Sequence, residues 1–243
     1  MSFPPKESTD PTDKLSHALE LPSLHAFDKG SLSSRAYRSL RLGLMRGHFA
    51  PGEKLLLKPL AEALGVSITP VREALLQLVS EQALVSLSDR SVAVPLADRG
   101  RLREIRDLRI ELEGQAIEMA VPHLTEDDVT LAGSLSRQLN DAKSQADAAT
   151  AMSVRHRFHF HLYEKARRPT LTNCIENLWI QAGPLVHAEL SSPTVVSEAA
   201  STMLMRALRQ RDSLMAKVAL QFSITEMFDC VERRYGEDEP AAS

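Results

Sequence analysis

The chain carries only two cysteines, Cys174 and Cys230, too few for a disulfide scaffold or a cysteine-based zinc module. No apolar run approaches the roughly eighteen residues that a membrane-crossing helix needs. The first thirty residues lack a basic-then-apolar leader; they are polar and hold Pro4, Pro5, Pro11 and Pro22. There is no glycine-rich phosphate loop, no Gly-x-Ser-x-Gly elbow and no internal repeat. These absences predict a reduced, cytoplasmic protein that is not an enzyme. What remains is ordinary globular composition, with 43% hydrophobic and 25% charged residues. At 243 residues the chain has room for two modest domains or one large one.

The net charge of −3 is unevenly spread. Between Leu32 and Pro95 the bases Arg35, Arg38, Arg41, Arg46, Lys54, Lys58, Arg72 and Arg90 outnumber the acids Glu53, Glu62, Glu73, Glu81 and Asp89. A basic module on an acidic remainder fits DNA binding joined to a second, different task.

The basic module holds the most specific pattern of the chain, from Leu60 to Leu75. Leu60, Ala61 and Leu64 form one helical face, and Gly65 can take the left-handed conformation that ends the helix. Ser67 or Thr69 can cap a second helix whose first turn accepts Pro70. Val71, Ala74, Leu75 and Leu78 make its apolar stripe, leaving Thr69 and Arg72 near the exposed N-terminal end. That is helix-turn-helix spacing, with the second helix placed to enter a major groove. A preceding helix, capped near Ser31–Ser34, runs to about Arg46; its arginines are expected on a solvated face. Leu84–Leu87 and Val92–Val94 read as a hairpin, a wing with Arg90 at its tip.

Beyond Asp98 the pattern is helical throughout. Six amphipathic segments are expected, the first through Leu102, Ile105, Leu108, Leu112, Ala116 and Met119. Thr125 with Asp128 offers a capping box, Asp147 opens the third helix, Pro169 interrupts the pattern, Pro184 suggests a bend and Pro193 a break. The last two helices span about 195–209 and 212–234. The expected fold is mainly α: a winged helix-turn-helix over 32–96, then an antiparallel helical bundle over 100–235. A flexible arm (1–31) and an acidic tail (236–243) flank them.

These segments closely resemble the GntR family of bacterial transcription regulators, in the subgroup with an all-helical FCD effector domain. The resemblance rests on Leu42–Gly47, Pro51-Gly52, Leu60-Ala61, Leu64–Ser67 and Thr69–Leu75 in the first module. In the second it rests on Arg109–Glu113, Phe158-His159, Leu162–Glu164, Pro169, Asp212 and Ala216. It implies a homodimeric, cytoplasmic regulator, a repressor among other possibilities, on a two-fold double-stranded operator, with a small metabolite changing its DNA affinity. The implied DNA-binding residues are Lys58, Ser67, Thr69, Arg72 and Arg90. Arg72 can grip guanine or a phosphate, Thr69 a thymine methyl or a phosphate, and Lys58 a phosphate.

Two positions depart from the family pattern at the DNA face. Ile68 stands where relatives carry Arg, and Ser91 where the wing has Gly. The effector domain departs further. The resemblance implies a metal site, since many relatives hold a divalent metal through an Asp, a His four residues later and two His from the last two helices. Alignment on Phe158-His159 and on Asp212 and Ala216 places Arg155, His159, Ser201 and Ser223 at those four positions. Arginine cannot ligate a metal and neutral serine is a poor ligand. No metal or cofactor is therefore expected. Arg155 can instead bind a carboxylate directly, with Arg109, His159, Ser201 and Ser223 supplying the other effector contacts. The alternative for Arg155 is to neutralise Glu113 or Glu111. A competing reading makes the protein a metal sensor or metallohydrolase through His156 and His159, at i, i+3. It lacks a His-x-x-x-His arrangement with a partnered glutamate, and His161 faces away from the pair.

Overall fold

The computed structural model describes residues 21–27, 29–87, 91–96, 98–190 and 198–236. The expected arm over 1–20, the wing tip with Arg90, the break at Pro193 and the tail beyond 236 lie outside the described residues. Three helices build the head: α1 (Leu32–Met45), α2 (Leu57–Leu64) and α3 (Ile68–Ser80). Ser31 caps α1 by accepting from the Ser34 amide. Gly65 closes α2 at φ +65° and ψ +36°, a left-handed conformation that costs a residue without Cβ little. Ser67 occupies the N-cap of α3 by its backbone angles, but its hydroxyl makes no capping bond.

The wing is wider than the sequence suggests. A strand at Lys54–Leu55 (β1) joins Val85–Ser86 (β2) and Val92–Ala93 (β3) in an antiparallel sheet of order β1-β3-β2. Lys54 and Val85 flank Ala93, while Leu55 and Ser86 flank Val92. The sheet thereby ties the segment before α2 to the strands that follow α3.

Six helices follow: α4 (Arg99–Ala120), α5 (Glu126–Ser144), α6 (Ala148–Glu164), α7 (Pro169–Leu190), α8 (Glu198–Gln210) and α9 (Ser213–Gly236). The capping box at α5 is present, with Thr125 and Asp128 bonded in both directions. Asp147 caps α6. Helix α7 continues through Pro184. Helices α4 and α9 pack antiparallel: Arg103 and Arg106 meet Glu232, the Ile110 carbonyl meets Gln221, and Glu118 meets Lys217.

The hydrophobic core runs unbroken from the head into the bundle. At the seam α1 lies directly on α7. A Cβ added at Gly183 would stand 2.2 Å from the Leu44 carbonyl oxygen and 2.9 Å from the Met45 Cα. The α1 arginines are not a solvated face. Arg35 donates twice to the Leu24 carbonyl, and Arg38 sits over the Phe27 ring. Arg41 crosses to α7, pairing with Glu176 at 3.0 Å and Asn177 at 3.0 Å. Arg41 also donates to the Tyr37 hydroxyl, which donates to Glu81 at the end of α3. The recognition helix is thus linked by side chains to the bundle.

The close approach at Gly183 meets backbone, which cannot rotate away. Gly183→Ala is expected to cost about 1–3 kcal/mol, lowering Tm by several degrees. Tryptic cleavage between head and bundle should quicken as the seam opens. Thermal unfolding and limited proteolysis check this; an unchanged Tm and digestion pattern would show that the seam is not tight.

Candidate DNA interface and effector cavity

The N-terminal half of α3 turns one face outward. Ser67, Ile68, Thr69, Arg72, Glu73, Leu76 and Gln77 are exposed, while Pro70, Val71, Ala74, Leu75 and Leu78 are buried. Ile68, Arg72 and Leu76 fall at i, i+4 and i+8 and form an outward ridge with Thr69 beside it. Arg72 makes no hydrogen bond or ion pair with any described residue. Glu73 does not neutralise it, because Glu73 accepts from Ser33 on α1. Lys58 is exposed in the first turn of α2. Lys58, Ser67, Thr69 and Arg72 are therefore all accessible on the head. Arg90 lies outside the described residues.

Within the bundle the dominant polar feature is Glu113, which is fully buried. Arg109, one turn earlier on α4, pairs with it at 2.5 Å. Tyr163 on α6 donates to its Oε2 at 2.5 Å, and Trp179 on α7 donates to its Oε1 at 2.9 Å. Three helices thus converge on one carboxylate. Burial and the Glu113 charge push the Tyr163 phenol well above its ordinary range, so it stays protonated and donating. His159 Nδ1 lies 3.1 Å from the Tyr163 oxygen. Burial, then the charges of Arg155 and Arg109, hold His159 well below the ordinary histidine range, so it is neutral.

Arg155 is 6% exposed and stacks over Trp179, its Cζ 4.3 Å from the ring centroid. It makes no hydrogen bond or ion pair with any described residue. Glu113 makes no hydrogen bond with it, because Arg109, Tyr163 and Trp179 occupy both carboxylate oxygens, and the Glu113 charge acts on it through space. Glu111 is exposed and does not pair with it either. Burial, then the neighbouring Arg109, pushes Arg155 down to about 9, still cationic at neutral pH.

Arg155 faces a cavity of about 40 Å³. His159, Ser201 and Ser223 line it as expected, together with Ser136 and Lys143, which sequence reasoning missed. Ser136 and Ser201 bond to each other at 3.1 Å. Leu139, Phe158, Leu204 and Met227 supply the apolar wall. Arg109, expected among the effector contacts, is not one of the lining residues; it is 1% exposed, bound to Glu113 and stacked on Trp179 at 4.5 Å. Its i, i+4 spacing to Glu113 is the signal that could have identified this role.

The lining set does not fit a divalent cation. It offers one imidazole and three hydroxyls beside two cationic side chains, with no carboxylate. The histidine cluster serves packing instead. His156 stacks on Phe160 at 4.4 Å, and burial with the Arg46 charge pushes it down to about 4. His161 bonds to Asp128. Among the described residues no group of three His, Cys, Asp or Glu is placed to hold a metal ion. Nor is any described helix long and apolar enough to cross a membrane.

Comparison with known proteins places this geometry. Residues 32–94 match the model of bacterial regulatory proteins of the gntR family, and residues 104–224 match the FCD domain. The HTH-type transcriptional regulator McbR of Escherichia coli (strain K12) is 36% identical over 186 residues, spanning 75% of this chain and 84% of that protein. The solved structure of E. coli McbR/YncC has a TM-score of 0.79 at 33% identity, covering 85% of this chain and all (100%) of that one. The Nta operon transcriptional regulator of Aminobacter aminovorans is 26% identical over 131 residues, 54% of this chain and 62% of that protein. A winged helix-turn-helix and an FCD bundle in one chain, with these relatives, make the protein a transcription regulator of the GntR family, FCD group.

Proposed function

We propose that this regulator binds a two-fold operator as a homodimer, and that a small carboxylate seated on Arg155 sets its affinity for DNA. The observation that carries the reading is Arg155 itself. Its guanidinium has no hydrogen-bond acceptor among the described residues and lines the cavity, where a carboxylate supplies two acceptors and an opposite charge. Ser201, Ser223 and His159 supply further polar contacts on the same wall. On the DNA side, Thr69 and Arg72 meet base edges, Ser67 and Lys58 meet phosphates, and Arg90 extends the reach of the wing.

An apolar stripe supports the second copy. Leu214, Val218 and Phe222 recur at i, i+4 and i+8 on α9, exposed at 66%, 47% and 46%, with Met215 alongside. Leu108 and Met119 on the antiparallel neighbour α4 are exposed too. A face of this kind on a protein that must deliver two heads to a symmetric operator is best covered by its own copy. Effector binding then acts by linkage: it favours one placement of the two heads, and only a difference in affinity between placements shifts DNA binding.

Trp179, the single tryptophan of the chain (Trp 1), lies under Arg155 and reports on the site directly. Titration with short carboxylic acids is expected to change its emission saturably. Arg155→Ala should weaken binding at least about tenfold, since a charge-assisted hydrogen bond is lost. If no acid alters the emission or the operator affinity, the effector reading fails. Replacing Val218 and Phe222 by Glu should convert dimer to monomer in sedimentation and weaken operator binding; a wild-type monomer would overturn the assembly. Arg72→Ala should cost about 1–3 kcal/mol of operator affinity and relax one base position, whereas Lys58→Ala should weaken all sequences alike and lower the salt slope by about one. Fluorescence anisotropy over a salt series separates the two.

A further inference from the structure

Helix α3 opens on Ile68, which is 42% exposed although the helix buries Val71, Ala74, Leu75 and Leu78 on its other side. Leu76, two turns further on, is 56% exposed. Neither packs into the hydrophobic core. Arg72 stands between them on the same ridge, without a hydrogen-bond or ion-pair partner among the described residues. The face that meets DNA therefore carries apolar side chains as well as a cation, and the first of them lies at the end of the helix that enters the groove.

The local structure suits Ile68 to that position. No acid stands in the first turn of α3, so nothing there repels the phosphates that flank the groove. A β-branched side chain on a helix has one strongly preferred rotamer. The Ile68 methyls are thus placed before DNA arrives, and they lose little freedom on contact.

Base chemistry decides what such a side chain selects. In the major groove guanine, cytosine and adenine offer hydrogen-bond donors and acceptors, and only thymine adds a methyl group. Over the first three, an isoleucine covers polar atoms that lose water and gain no partner. Over thymine it buries methyl against methyl, removing apolar surface from water on both sides. No charge takes part, so the contact leaves the salt dependence of binding unchanged.

We propose that Ile68 is a specificity residue that reads the C5-methyl of a thymine in each operator half-site. This rests on the reading above that α3 meets base edges, and it adds a base position selected without a hydrogen bond.

Thymine and uracil differ only in that methyl, so replacing thymines by deoxyuridine one at a time isolates it. The probe is a duplex recovered from a random-sequence pool with the full-length protein, and anisotropy gives the affinities. At one thymine of each half-site, uracil should weaken wild-type binding about fourfold, the equivalent of one buried methyl. Ile68→Ala should bind the thymine duplex at least as weakly, lose its sensitivity to uracil at that position and keep the wild-type salt slope. Leu76→Ala should retain the sensitivity. The wild-type uracil scan needs no variant, and equal Tm values show that the substitutions at these exposed positions leave the fold intact. If no thymine is sensitive to loss of its methyl, the proposal is overturned while base reading by α3 stands. The same holds if Ile68→Ala keeps the sensitivity, as it would were Thr69 the reader, or if Leu76→Ala abolishes it. If selection recovers no preferred sequence, base reading by α3 falls together with the proposal.

Discussion

The carboxylate of Glu113 is the interaction on which the rest of the bundle depends. Burying a charge is costly unless it is paired and its lone pairs are filled. Here one arginine, one phenol and one indole fill them, contributed by α4, α6 and α7. Each donor has a second face that does further work. Arg109 stacks on Trp179 and Phe228, Tyr163 orients His159, and Trp179 carries Arg155. Because the Glu113 oxygens are taken by these donors, Arg155 feels the Glu113 charge without a hydrogen bond to it. The polarity of the cavity is therefore set by a residue that does not touch it.

The same helix that carries Trp179 also carries the head. One turn beyond Trp179, Gly183 lets the Leu44 carbonyl come closer than any side chain would allow. One turn before it, Glu176 and Asn177 hold Arg41, whose other contact runs through Tyr37 to the end of the recognition helix. A change in how Trp179 is loaded by Arg155 is thus a change in the element on which α1 rests. A tightly packed seam passes small shifts on, because it has few intermediate arrangements. The side chains thus form a continuous path from the cavity wall to the end of α3.

Much of this was legible in the sequence, for local reasons. Gly65, the Thr125–Asp128 box and Asp147 are helix boundaries written in a few adjacent residues, and the helices start or stop there. The outward ridge of α3 follows from its buried stripe. What the sequence hid was long-range. Strand β1 is two residues long, too short for any alternation to show, and exists because β3 needs a second partner. The α1 arginines look like a solvated face until α7 is placed beside them. Two arginines lie near Glu113. Helical spacing favours Arg109, but the fate of Arg155 emerges only when Tyr163 and Trp179 arrive from other helices. Lys143 and Ser136 stand on α5, whose approach to the cavity no local pattern announces.

A site built on arginine also differs in kind from one built on a metal. A metal ion is itself a ligand of the empty protein: its several donors are satisfied before any effector arrives, and the effector merely completes a coordination shell. Arg155 is covalently part of α6 and rests on the face of Trp179. An aromatic face is a weaker partner for a guanidinium than a carboxylate. On the reading proposed above, a carboxylate on Arg155 would add a stronger partner beside the helix that carries the head. Affinity for the effector and the position of Trp179 are then two readings of one contact.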